Sequence, residues 1–272
     1  VKILLAVDHT QQAKEAARGV PDCFPGAEVE ILHVLDIEAV PHSHLSAALI
    51  DRYHQKIRAR LQAEANRFLP NILELFLQVM GRVRVLVREG GTAEVILRTA
   101  SSLHPDLIVL GSRGFTKVQA WLLGSVSYRV AQQARSPVLL IKHVLPARPK
   151  VLLVVDGSVA SKRAVTLLAE QAVVSPCHVI VLGVGRPSPS RNASLRDVTA
   201  RLSARGFTVD PRLLDGNPVT DILARAHAEA VDLIVTGLSD RYGWWRQWLW
   251  GNISRKIMME APTSVLLVRA EG

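Results

Sequence analysis

Between residues 107 and 127 a short apolar run, Leu107-Ile-Val-Leu110, breaks at Gly111 and turns through Ser112, Arg113 and Gly114. After nine intervening residues it reaches Gly124-Ser125-Val126-Ser127, where a helical pattern begins. Glycines let a backbone approach a bulky anion, and amides at a helix start bind one. Arg113 adds positive charge, and Ser125 and Ser127 add hydroxyls. The spacing reads as a nucleotide phosphate clamp. Taken singly, Gly111 reads as a strand-end turn, Gly124 as a packing residue and Ser125 as an N-cap. Taken as a set, they favour phosphate binding.

Such a loop needs a strand before it and a helix after it. Lys2–Val7 reads as a buried strand ending at Asp8, followed by a helix that Pro21 and Pro25-Gly26 stop. Val29–Val34 reads as a second strand. Apolar residues at helical spacing mark a long helix within 43–69. Val83–Val87 is a third strand, and Gly90-Gly91 follows it, with Thr92 as the predicted N-cap of the next helix. After the glycine loop and its helix, Val138–Ile141 is a fifth strand.

The pattern then restarts. Lys150–Asp156 repeats Lys2–Asp8, Val179–Val184 matches the second strand, and Gly216-Asn217-Pro218 matches the Gly90 turn. Val231–Gly237 repeats Pro105–Gly111, and Val265–Val268 repeats the fifth strand. Five matches in one order give two tandem domains, 1–145 and 150–272, with Pro146 and Pro149 in the linker. Strands alternating with helices predict an α/β fold. It comprises two doubly wound domains, each a five-stranded parallel sheet flanked by helices in the order 3-2-1-4-5. Ligands bind such sheets at the carboxyl ends of the strands, where strand order switches. Asp8, Val34 and Gly111 all lie at such ends.

Composition narrows the class. The 272 residues are 49% hydrophobic and 21% charged, a globular profile. The net charge of +9 is spread evenly, with 17 basic against 13 acidic residues before residue 147 and 16 against 11 after it. This suits an anionic ligand on a solvated basic surface, without a dedicated nucleic-acid signature. Cys23 and Cys177 fit buried reduced thiols, with a bridge between them left open. No run approaches a membrane span and the chain opens on a strand, so a cytoplasmic protein without a signal peptide is expected. His42, His44 and His54 lack partners at ligand spacing and read as exposed histidines. Gly183-Val-Gly185 fails as a dinucleotide turn, because Arg186-Pro187 follows.

With these residues in view, the chain resembles the universal stress protein family in its tandem form. The resemblance spans nearly the whole chain and rests on a Gly-x2-Gly-x9-Gly-Ser/Thr signature, here Gly111, Gly114, Gly124 and Ser125. It implies ATP binding, with ADP or AMP as alternatives. Asp8 matches the acidic residue facing the nucleotide, and Ala6 and Val7 match backbone positions beside it. Val34 matches the position whose backbone reads adenine. Leu110 and Gly111 lie against sugar and phosphate; Arg113, Gly114, Gly124, Ser125, Val126 and Ser127 form the phosphate loop. Asp8 suits ribose hydroxyls or a hydrated Mg²⁺. The resemblance also implies that strands 138–141 and 265–268 pair across domains; a homodimer is the other arrangement.

The second copy departs from the signature. Asp240 stands where Gly114 stood, the following spacing is ten residues, and Asn252 replaces Ser125, while Gly237 and Ser254 persist. A carboxylate in a phosphate loop repels the ligand, so this copy reads as degenerate. Tyr242, Trp244, Trp245, Trp248 and Trp250 crowd the same loop. They suit packing over a vacated cleft or a partner surface. The leading expectation is an ATP-binding stress-response regulator acting through an unidentified partner protein. Slow ATP hydrolysis at the same site and a nucleotide-independent interaction through the tryptophans are the alternatives.

Overall fold

Apolar runs flanked by turns form the inner strands of the sheet, buried on both faces. A computed structural model of the chain describes residues 1–37, 47–76, 82–112, 123–170, 174–238 and 247–270, the side chains of 47–52 and 247–252 excepted. Arg113, Gly114, Trp121, His42, His44, Asp240 and residues 241–246 therefore lie outside the described residues, as do the side chains of Trp248, Trp250 and Asn252.

The first domain runs β1 (Lys2–Ala6), α1 (Gln11–Cys23), β2 (Glu28–Leu35), α2 (Ala47–Glu74), β3 (Arg82–Glu89), α3 (Thr92–Leu103), β4 (Leu107–Gly111), α4 (Ser125–Gln133) and β5 (Val138–Ile141). The second runs β6 (Val151–Val155), α5 (Val159–Ala169), β7 (His178–Val184), α6 (Pro189–Ser203), β8 (Thr208–Leu214), α7 (Pro218–Ala228), β9 (Leu233–Leu238), α8 (Gln247–Glu260) and β10 (Ser264–Arg269).

The strands form a ten-stranded sheet in the order β3-β2-β1-β4-β5-β10-β9-β6-β7-β8. Each half keeps the 3-2-1-4-5 order. Pairing is parallel within each half and antiparallel between β5 and β10, where Leu139 faces Leu266. The expected cross-domain strand pairing is thus present within one chain. Alternate strand residues face opposite sides. Ile3, Leu5, Val109, Leu139 and Leu266 share one core, and Leu4, Ile108, Leu140, Val265 and Leu267 share the other. Both cores cross the domain boundary.

The repeated Lys and Asp have a local explanation. Lys2 N donates to Asp106 Oδ2 (2.8 Å), and its Nζ donates to the Leu103 carbonyl at the end of α3 (2.8 Å). Lys150 N makes the same bond to Asp232 Oδ2 (2.8 Å), and its Nζ reaches the Glu229 carbonyl after α7 (2.8 Å). A cation at a helix C-terminus satisfies orphan carbonyls. The same device joins the domains. Arg269, the last residue of β10, donates to the Ala131 and Gln132 carbonyls at the end of α4, and Lys142 after β5 donates to the carbonyls of Met258, near the end of α8, and of Ala261, just past it. Each domain caps the last helix of the other.

Three local readings are corrected. Pro21 does not stop α1, which continues to Cys23; its ring forgoes one amide bond two residues before the helix would end. α2 runs past Pro70 to Glu74. Gly91, not Thr92, is the N-cap of α3; Thr92 is the first helical residue, and its hydroxyl donates to Asp36 Oδ2 (2.8 Å). β8 was concealed in the sequence by Pro211, which an edge strand tolerates because one row of its amides has no neighbour. α2 has no equal in the second domain: it has 28 residues against 15 in α6. Cys23 and Cys177 are buried and unbonded to each other, and burial pushes their thiols up to about 12 and about 11. Among the described residues no helix is long and apolar enough to cross a membrane.

Candidate nucleotide cleft of the first domain

Strand order switches between β1 and β4. There, outside the carboxyl ends of β1, β2 and β4, lies a cavity of about 480 Å³. It gathers Ala6, Val7, Asp8, Val34, Leu110, Gly111, Gly124, Ser125, Val126 and Ser127. These are all the sequence-predicted site residues that lie among the described residues. The wall also includes His9, His33, Asp36, Leu61, Glu64, Thr92 and Ile96, which sequence reasoning missed. Asp36 was findable, since it follows the end of β2. Leu61 and Glu64 were not, because their place depends on how α2 docks over the strand ends.

Each end is shaped locally. Asp8 Oδ1 accepts from the Thr10 amide (2.9 Å) and from the Thr10 hydroxyl. Thr10 in turn caps α1 by accepting from the Ala13 amide (3.3 Å). Asp156 repeats this turn with the Ser158 amide (2.9 Å), and Ser158 caps α5. The aspartate therefore has a turn-forming role in both copies. Among the described residues Asp8 Oδ2 accepts no hydrogen bond, which leaves it for a ligand.

Among the described residues no hydrogen bond across to β1 engages the Val34 backbone either. The Leu32 carbonyl accepts from the Val7 amide (2.9 Å), so Leu32 points its peptide groups at β1. Residues two apart in a strand point their groups the same way, so Val34 does too. β1 has ended by then, at Ala6, and the chain turns away through Asp8. Val34 thus offers one amide and one carbonyl side by side.

At the other end α4 begins at Gly124, whose amide donates to the Ser112 carbonyl (2.9 Å). Gly124 gives no side-chain cap, and the first turn holds no acid. The first i→i−4 bond is that of the Tyr128 amide to the Gly124 carbonyl (2.9 Å). The amides of Ser125, Val126 and Ser127 precede it as the orphan donors of a helix start. The Ser127 hydroxyl does not face the cavity as a donor. It donates to the Gly111 carbonyl (2.8 Å), as Ser254 does to Gly237 (2.8 Å). The missing side chain at Gly111 also admits α1: a Cβ there would meet the Gln12 backbone at 3.3 Å.

Among the described lining residues are three carboxylates, Asp8, Asp36 and Glu64, and no Lys or Arg. The uncompensated donors among the described lining residues are the amides at the start of α4. His33 is buried at the floor, with Nδ1 2.9 Å from the Val7 carbonyl and its ring edge-on to Phe68. A carbonyl can only accept, so Nδ1 carries the proton. Burial holds the His33 pKa below the ordinary 6.5, outweighing the opposing bond to Val7. A depressed value means that stability is complete above the unfolded pKa and is lost as pH falls through the folded one. The thermal midpoint should therefore drop as pH falls from 7 to 5, with a flatter profile in His33→Gln. Parallel profiles for the two proteins would refute this.

These features define a doubly wound α/β protein with a cavity at its switch point. The chain belongs to the universal stress protein family, whose profile matches residues 1–142 and again 148–269. It is 27% identical over 153 residues to a universal stress protein of Methanocaldococcus jannaschii, covering 52% of this chain and 94% of that one. It is 33% identical over 144 residues to one of Thermus aquaticus, covering 52% and 97%. The crystal structure of a universal stress protein from Archaeoglobus fulgidus matches the fold with a TM-score of 0.71 at 22% identity, covering 99% of this chain and 98% of that one.

Proposed function

We propose that the first domain binds an adenine nucleotide, ATP foremost, and that the chain is a nucleotide-responsive regulator in a stress response. The observation that carries this is the 480 Å³ cavity, which unites the open Val34 backbone, Asp8 and the uncapped start of α4. The volume is in the usual range of small-molecule sites, roughly 300–1,000 Å³.

In this reading the Val34 amide and carbonyl meet the base edge. Ala6, Val7 and Leu110 flank base and sugar. Asp8 Oδ2 takes a ribose hydroxyl or a water of a hydrated Mg²⁺, for which a single carboxylate beside phosphates is a suitable partner. Gly111, Arg113, Gly114 and the amides of Gly124–Ser127 surround the phosphates. The intact site belongs to domain 1–145, and domain 150–272 carries the degenerate loop. Ligand at the start of α4 is linked to the second domain through Arg269 at the end of the same helix. Binding would then bias the domain contact that a partner protein reads.

The test is mass spectrometry of small molecules released on denaturing freshly purified protein, followed by rebinding of the nucleotide found. An adenine nucleotide that rebinds supports the reading. Protein that neither carries nor binds one contradicts it.

A further inference from the structure

The second domain has the same strand ends, but its space is divided. One recess of about 170 Å³ is lined by Asp156, Gly157, Gly183, Ser190, Arg191 and Ser194, among others. A pocket of about 20 Å³, bordered by Asp156, Val184, Thr236, Gly237 and Ser254, occupies the position matching the inner part of the first cleft. Sheet register makes Val184 the counterpart of Val34: Ala6 pairs with Leu32 and Val154 with Leu182, each two residues earlier.

In the first domain the carbonyl at this position has no hydrogen-bond donor among the described residues of the cleft. In the second it accepts a hydrogen bond from Arg191 Nη1. The arginine is delivered by the start of α6. Ser188 caps that helix by accepting from the Arg191 amide (3.2 Å), and Pro189 opens it. Gly185 makes room. Its φ is +115°, and a Cβ there would meet the Arg191 guanidinium carbon at 2.9 Å. The stretch Gly183-Val184-Gly185, which fails as a dinucleotide turn in sequence, serves here to seat an arginine.

We infer that the second domain holds a latent base-binding site kept closed by its own Arg191, whose guanidinium takes the place of a base amino group on the Val184 carbonyl. This rests on the reading of Val34 as the base-facing residue of the first domain. A carbonyl acceptor requires an N–H donor. The ligand class that competes with Arg191 is therefore a nucleoside with an exocyclic amino group, of adenosine type. Phosphates are not needed, and Asp240 in the loop sequence disfavours them. The closed site explains how a buried carbonyl is satisfied without ligand, since an unpaired one would be costly. The wild-type chain consequently takes base in one domain only.

Photolabelling the full chain with 2-azidoadenosine and mapping the labelled peptides tests this. Wild type should label within 1–145 alone. Arg191→Ala should add label within 150–272, at least tenfold over wild type and displaced by adenosine. Ethylguanidine should suppress the added label while sparing the first-domain label. First-domain labelling in the variant doubles as the check that it is folded, and Arg191→Ser offers the same loss of donors with a polar side chain. Second-domain label in wild type would overturn the inference. So would its absence from both folded variants, or indifference to ethylguanidine. Absence of first-domain label throughout would instead count against the proposed function.

Discussion

Ser125→Asp should weaken ATP binding by on the order of 100-fold while leaving the protein slightly more stable. Ser125 is exposed at the first position of α4, so the new side chain fits. A carboxylate there satisfies orphan amides and complements the helix dipole, which stabilises by about 0.3–1 kcal/mol. The same carboxylate competes with a phosphate for those amides. Two like charges about 4 Å apart cost about 4 kcal/mol at an effective dielectric near 20, and exposure reduces this. Each 1.4 kcal/mol is about tenfold in affinity, which gives the stated estimate. Adenosine, lacking phosphates, should bind the variant almost as well as wild type. Calorimetric titration with both ligands reads the difference. Equal losses for ATP and adenosine would mean that the start of α4 does not hold phosphate.

Gly237→Ala should be the more damaging of two equivalent glycine substitutions, although it lies in the copy with the degenerate loop. A Cβ at Gly237 would sit 2.7 Å from the Ser161 amide nitrogen and 2.9 Å from the Ala160 carbonyl carbon, both backbone atoms of α5. Helix and strand must separate to admit it. Overpacking of this kind costs about 1–3 kcal/mol, and backbone atoms as neighbours place this case at the upper end. At Gly111 the nearest backbone atoms are at 3.3 Å, so a cost of about 1 kcal/mol is expected. Urea unfolding of the two variants compares them directly. An undisturbed Gly237→Ala protein would show that the glycine is not there to admit α5. The contrast also bears on how the repeat is read. Gly237 persists beside a loop whose sequence departs from the signature, and a helix start presses on it whatever the domain binds.

Much of the architecture was legible because it depends on local pattern. Apolar runs placed the strands, and their repetition placed the two copies. The general rule for parallel sheets then put Asp8, Val34 and Gly111 at one cleft. The purpose of particular residues was less legible. Gly111, read as a phosphate residue, also admits α1, and the Ser127 hydroxyl closes the loop onto the Gly111 carbonyl. Both functions depend on which backbone lies opposite, and spacing along the chain does not encode that. The same holds for Leu61 and Glu64 over the first cleft, for Lys142 and Arg269 across the domain boundary, and for Arg191 in the second cleft. Each is a long side chain whose partner is a carbonyl or cavity brought near only by the fold.

The two copies share a scaffold and differ in what meets the strand ends. In one, α2 stands back behind Leu61 and Glu64 and leaves about 480 Å³ open. In the other, the start of α6 lies close enough for an arginine to reach the matching carbonyl. An asymmetric pair of this kind makes a definite statement about stoichiometry. Equilibrium titration of ligand-free protein with ATP tests it most directly. Saturation at one equivalent per chain is predicted; no saturable binding, or saturation at two equivalents, would contradict the account.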